Sequence, residues 1–240
     1  MKLFFHYCPI SFSNCYILGA DMGQEAPVSG EPEAVLIDPG YMDVGIINFI
    51  EDNGYYLRAV LITHDHKNHI RGLKTLLRIY DADIYAVNQI VLDYKTILVR
   101  DRDICRVGPF TFEVISVPGH SPDSAVFKIN NLLFTGDALS AGLVGRTASR
   151  YGAATQMTAL QNKIFSLPGD FTILPGHGPP SSLDAERRFN AGIELYEQSK
   201  THLPWRQSPW LAAGLGGGAH LTSGLSRSVP LPTAGAGGDD

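Results

Sequence analysis

Apolar residues along this chain fall into short blocks punctuated by turn signals. Leu3–Phe5 and Cys15–Leu18 are β-rich, and His6, Pro9, Ser11, Ser13 and Asn14 interrupt the stretch between and around them. That pattern predicts two short strands rather than a secretory leader. Ala34–Ile37, Ala59–Ile62, Ile84–Val87 and Phe171–Leu174 are continuous apolar runs, as expected of strands covered on both faces. Phe110–Val117 alternates with a period of two, and Ala125–Ile129 and Leu132–Thr135 flank Asn130-Asn131, a hairpin signal. Helical spacing predicts helices over Val44–Asn53, Leu73–Tyr80, Thr155–Phe165 and Asp184–Gln198, the last with Asp184 as its cap. Several runs stop at Asp38-Pro39-Gly40, Pro118-Gly119 or Pro175-Gly176, where the chain is expected to turn.

Composition changes at residue 201. Eight Gly and four Pro fall in residues 201–240, which read as a flexible tail, with Trp205 and Trp210 docking its start. Residues 1–200 are then expected to form one folded domain. Hydrophobic residues make up 44% of the 240, enough to bury a core and exclude wholesale disorder. The net charge is −5 and there is no block of Lys and Arg, so nucleic acid and anionic membranes are not expected partners. No apolar run approaches the ~18 residues of a membrane helix. The expectation is a soluble cytoplasmic protein acting on a small molecule. Three cysteines, Cys8, Cys15 and Cys105, are too few and scattered for a disulfide framework and read as small hydrophobes.

The chemistry lies where strands end. Five of the eight histidines occupy three short segments that each follow an apolar strand. They are Thr63-His64-Asp65-His66-Lys67-Asn68-His69, Pro118-Gly119-His120 and Pro175-Gly176-His177-Gly178. Imidazoles this dense on a strand-to-helix loop suit a borderline-soft metal such as zinc or iron. Asp137 ends the strand Leu132–Thr135 and is a candidate ligand beside them. Asp38 follows another strand; it is either a turn former or a partner that orients a ligand histidine.

In order and spacing these segments resemble the motifs of the metallo-β-lactamase superfamily, and most closely its small glyoxalase II-like members. The resemblance runs from the Asp38 turn through the HxHxxH cluster, His120, Asp137 and His177 into Glu186-Arg187-Arg188. It implies an α/β fold (α+β in some schemes), an αββα four-layer sandwich with the site on loops at one edge. It implies a first metal on His64, His66 and His120, a bridging Asp137, and a second metal on His69 and His177. Zn2+, one or two per chain, is the implied cofactor, with iron or manganese as alternatives. The family pattern has Asp at position 68, where this chain has Asn68. An amide offers a carbonyl oxygen but neither charge nor basicity, so Asn68 is expected to be a weakened second-site ligand.

The implied activity is that of a metallo-hydrolase, with metal-bound hydroxide attacking an ester- or thioester-type acyl group, as in hydroxyacylglutathione hydrolases. The alternatives are an oxidoreductase like the one-iron persulfide dioxygenases, or a non-catalytic metal-binding protein of the same fold. Asp137 in place of the Cys common in secreted β-lactamases points away from antibiotic hydrolysis. Asp65 is expected to support the ligands from behind, along with Asp38. Arg146 and Tyr151, on the loop after Asp137, are candidates for contact with an anionic substrate.

Overall fold

The computed structural model describes residues 1–20 and 30–201. The expected tail, with Trp205 and Trp210, lies outside them. Two mixed six-stranded sheets organise the chain. The first contains β1 (Lys2–Cys8), β2 (Ser13–Gly19), β3 (Glu33–Ile37), β4 (Tyr56–Leu61), β5 (Asp83–Ala86) and, after the small hairpin of β6 (Ile90–Val91) and β7 (Tyr94–Lys95), β8 (Ile97–Leu98). Its order is β1-β2-β3-β4-β5-β8, antiparallel as far as β3 and parallel from there. The second holds β9 (Ile104–Val107), β10 (Phe110–Ser116), β11 (Ala125–Ile129) and β12 (Leu132–Gly136). After the hairpin of β13 (Leu139–Ser140) and β14 (Leu143–Val144), it adds β15 (Thr172–Pro175) and β16 (Ser181–Ser182). Here the order is β16-β15-β12-β11-β10-β9, with only β12 and β15 parallel.

The side-chain alternation explains the layers. Tyr16, Leu18, Val35, Ile37 and Leu61 point from the first sheet onto Phe112, Val114, Phe127 and Phe134 of the second. Their neighbours Ile17, Leu36 and Val60 point outward, onto α1 (Val44–Asp52) and α3 (Leu73–Ile79) through Ile46, Ile50, Leu73 and Leu76. Across the molecule Ile115, Val126, Leu133 and Ile173 pack on Leu160, Ile164 and Leu183. The layers are therefore helix, sheet, sheet, helix, and a strand covered on both faces must be apolar at every position. Each of the buried aromatics Phe112, Phe127 and Phe134 contributes about 1.5–3 kcal/mol by leaving water.

Two helical expectations are corrected. The helix expected over Thr155–Phe165 starts earlier, as α4 (Arg150–Ala159), because the Ser149 hydroxyl accepts from Gly152 N and caps it. It continues into a π-helical turn at Leu160–Ile164. The helix expected over Asp184–Gln198 is two helices, α5 (Leu183–Phe189) and α6 (Ala191–Thr201). Ser182, not Asp184, caps α5. Asn190 breaks the run: its amide donates to Glu186 Oε2 at 2.5 Å and its carbonyl accepts from Gly192 N at 3.0 Å. Such local side-chain bonds compete with the helix ladder. Cys8 and Cys15 are buried, as expected of small hydrophobes, whereas Cys105 is only half-buried. Among the described residues, no helix is long and apolar enough to cross a membrane.

Candidate metal centre

The segments that carry the histidines leave neighbouring strands at one edge of the sandwich. Asp38 follows β3, and the loop from Thr63 to α2 (Lys67–Ile70) follows β4. His120 lies between β10 and β11, Asp137 follows β12, and His177 follows β15. Glycines allow these loops to close on one another. At Gly176 a β-carbon would stand 2.5 Å from His69 Cε1 and 2.6 Å from Asp137 Oδ1. Gly136, at φ 50°, lies against Thr63 in a conformation that L side chains rarely adopt.

Two donor sets result. His64, His66, His120 and Asp137 each offer one atom, all within 4.8 Å of one another. His69, Asp137 and His177 form the second set by the same measure. Asp137 serves both. Its Oδ2 lies 3.8 Å from His64 Nε2 and 3.5 Å from Nε2 of His120 and of His177, while its Oδ1 lies 3.2 Å from His69 Nε2. The fold thus brings together all six residues that the resemblance implied as ligands.

Partners behind the rings fix which nitrogen faces inward. His120 Nδ1 lies 2.8 Å from the Arg146 carbonyl, and His177 Nδ1 lies 2.5 Å from the Phe12 carbonyl. A carbonyl only accepts, so each Nδ1 carries the proton and each Nε2 keeps its lone pair toward Asp137. Asp38 does the same for the other loop. Its Oδ1 accepts from Thr63 N at 2.8 Å, and its Oδ2 accepts from Thr63 Oγ1 at 2.6 Å and from His69 Nδ1 at 3.1 Å. Thr63 Oγ1, having donated to Asp38, accepts from His64 Nδ1 at 3.1 Å. Asp38 therefore orients His69 directly and His64 through Thr63, and it is held at φ 53° to do so.

This arrangement supports the fit of a metal. His69 Nε2 and Asp137 Oδ1 are buried, face each other and have no hydrogen-bond partner among the described residues. Two lone-pair atoms at that distance require a positive charge between them. A proton can supply it: burial lowers the basicity of His69, but the carboxylates of Asp137 and Asp38 outweigh that and raise its pKa to about 9. Burial, and then its neighbour His69, pushes His64 down to about 3. Burial works against ionisation of Asp137, yet the surrounding imidazoles hold its carboxyl well below the usual range. An ionised carboxylate among imidazoles, with the His69 proton given up where an ion takes its place, is a donor set suited to divalent zinc, iron or manganese.

Asn68 lies at the second set. Its side-chain amide is 2.6 Å from His177 Nε2, on the lone pair that faces Asp137. Asp65 lies elsewhere: its carboxylate accepts from Asn88 and touches none of the six. The buried Asp123 positions that loop, accepting from Asp65 N and Asn88. Arg146 lines a cleft of about 230 Å³ beside the cluster, with His120, Asp137, Ser140, Val144 and His177 among its walls. Tyr151 is 82% exposed and does not line that cleft.

Sequence reasoning missed four supports. Thr63 and the Phe12 carbonyl are described above. Buried Asn14 donates from its amide to the Pro175 and Gly178 carbonyls at 2.9 and 2.7 Å, holding the His177 loop. Buried Gln156 bridges the Ala138 and Gly145 carbonyls at 3.2 and 3.0 Å, holding the loop after Asp137. Only Thr63 had a signal, its place directly before His64.

The chain is similar to known proteins in sequence and in fold. The family model of the metallo-beta-lactamase superfamily matches residues 11–183. A hydroxyacylglutathione hydrolase of Chromohalobacter salexigens is 34% identical over 148 residues, covering 60% of this chain and 57% of that protein. One from Francisella tularensis subsp. novicida is 36% identical over 147 residues, covering 60% and 58%. The chain thus spans less than two thirds of the length of these relatives. Among solved structures, ETHE1 from Myxococcus xanthus superposes with a TM-score of 0.70 at 27% identity, covering 85% of this chain and 92% of that one. The BLEG-1 B3 metallo-beta-lactamase gives 0.66 at 25% identity, covering 79% and 98%.

Proposed function

Since the chain belongs to the metallo-beta-lactamase superfamily, we propose that it is a metal-dependent hydrolase of ester- or thioester-type acyl substrates, similar in chemistry to hydroxyacylglutathione hydrolases. The observation that carries this reading is the pair of donor sets sharing Asp137. His64, His66, His120 and Asp137 would hold one ion, and His69, His177 and Asp137 a second. A divalent ion held there, zinc foremost, would supply Lewis acidity toward a substrate carbonyl and a more acidic bound water.

The chain's own residues do the rest. Asp38, Thr63 and the Phe12 and Arg146 carbonyls engage the outward nitrogens of His69, His64, His177 and His120, which turns the Nε2 atom of each toward Asp137. Asn68 cannot act as a base and adds no charge, which leaves Asp137 as the carboxylate shared by both sets. The cleft bounded by Arg146 and Val144 opens directly onto Asp137 and gives a substrate access to it. In the overall reaction water adds its oxygen to the acyl carbon and the carbon–sulfur or carbon–oxygen bond breaks. The leaving thiolate or alkoxide takes up a proton, and the products are an acid and a thiol or alcohol.

A second reading rests on Asn68: with one full donor set and a depleted second one, the protein would bind a single iron and carry out oxygen-dependent sulfur chemistry. Elemental analysis of protein purified without added metal, followed by thioester hydrolysis with and without a chelator, separates the two. About two ions per chain, or one zinc, with chelator-sensitive hydrolysis is the expected result. One iron with oxygen uptake selects the second reading. No metal retained after reconstitution overturns both.

A further inference from the structure

A second opening borders the centre on the side of Asn68. It is a groove of about 590 Å³, walled by Ile10, Ser11, Ile70 and Leu92 and by Lys67, Asn68, Arg71 and Lys74. Lys67, Arg71 and Lys74 follow one another at helical spacing, so they stand on one face of the run from α2 into α3. All three are exposed, and among the described residues none makes an ion pair or a side-chain hydrogen bond. No carboxylate of the described residues lines the groove. In a chain of net charge −5, three unpaired cations around one depression are a concentrated positive field.

The groove also leads to the chemistry. Asn68 forms part of its wall, and the Asn68 amide reaches His177 Nε2 at 2.6 Å. A carboxylate at position 68 would repel an anion at this inner end; the neutral amide does not. The exposed apolar side chains of Ile10 and Leu92 provide a surface for the aliphatic part of a ligand. The opening by Arg146, which His177 lines, has one cation and about 230 Å³, so the two clefts differ in both size and charge.

We infer that the groove of Lys67, Arg71 and Lys74 binds the anionic arm of the thiol portion of the substrate, an acyl thioester whose thiol carries carboxylate or phosphate groups. This deepens the hydrolase reading and rests on it for the substrate's reactive bond, while the binding of an anionic thiol stands apart from it.

The test uses the full metal-loaded chain and the double variant Arg71→Gln/Lys74→Gln, whose exposed positions leave the core untouched. One acyl group is presented on a neutral thiol (N-acetylcysteamine), on glutathione and on coenzyme A. The expected result is a KM at least about tenfold lower for an anionic thioester than for the neutral one. That advantage should shrink about tenfold in the variant and in high salt, with kcat and the neutral substrate unchanged. Preference for glutathione identifies carboxylates as the recognised groups, and preference for coenzyme A identifies phosphates. Equal KM values across the three thiols, or an equal loss for all three in the variant, overturn the inference. Direct binding of free glutathione and free coenzyme A by calorimetry covers the case in which no thioester turns over. There the hydrolase reading fails, and salt-sensitive binding that the double variant loses still upholds the groove, while no binding of either thiol refutes it.

Discussion

The two halves of the centre share Asp137 and are built differently around it. The first half has three imidazoles, from a strand-end loop and the His120 loop, and the second has two imidazoles and the amide of Asn68. Behind the first half stand neutral groups, the Thr63 hydroxyl and the Arg146 carbonyl. Behind the second stands a charge, because Asp38 touches His69 directly at 3.1 Å. Negative charge at one remove, on Asp38, makes His69 a better donor than a neutral partner would.

The variants that break this comparison differ in reach. Asp137→Asn removes the carboxylate common to both halves. It is expected to abolish stable binding of both ions and to lower hydrolysis more than about 100-fold, beyond the roughly 10–100-fold typical of partners behind a ligand. Elemental analysis beside steady-state kinetics would show whether the halves fail together. A variant that keeps one ion in full would mean that Asp137 belongs to one half only.

Asp38→Asn acts unequally. The amide would turn a donor toward Thr63 Oγ1 and His69 Nδ1, both of which donate to Asp38 now. The expected outcome is a loss of roughly 10–100-fold in affinity for the second ion and a smaller loss for the first, which Asp38 reaches only through Thr63. Stepwise zinc titration by calorimetry resolves the two, and equal losses would contradict the relay.

Asn68→Asp sharpens the comparison by making the halves more alike. It should raise affinity for the second ion by about tenfold, equivalent to ~1.4 kcal/mol, and raise the hydrolytic rate with it. Unchanged stoichiometry with a lower rate would show that Asn68 is more than a weakened ligand.

Much of this architecture was legible in the residue pattern. Runs such as Ala34–Ile37 and Ala59–Ile62 are apolar at every position because each strand is covered by a helix layer and by the facing sheet. The Asn130-Asn131 hairpin is visible because Asn tolerates the left-handed backbone found at Asn130. The candidate ligands were legible because metal donors belong to few residue types and need close spacing. The break at Asn190 was not legible, since Asn is tolerated in helices and its effect depends on the buried Glu186 that receives its amide. The partner of Asp65 was not legible either: its carboxylate accepts from Asn88, a residue far along the chain.

The strands Ala34–Ile37 and Ala59–Ile62, the turns that end such runs and the histidine-rich segments follow from residue type and local spacing, whereas reading Asn68 as a replacement rests on the family resemblance. Tertiary structure alone decided which groups stand behind the ligands and what surrounds the centre. Phe12 supports His177 through a backbone carbonyl 165 positions away, and Arg146 supports His120 in the same way. Every residue has a carbonyl, so no residue type announces such a role. Packing likewise brought His69 and Thr63 onto the one carboxylate of Asp38. The same packing set Lys67, Arg71 and Lys74 around a groove that Asn68 also lines. A field of that kind depends on which charges are left unpaired, and pairing is a property of the folded chain.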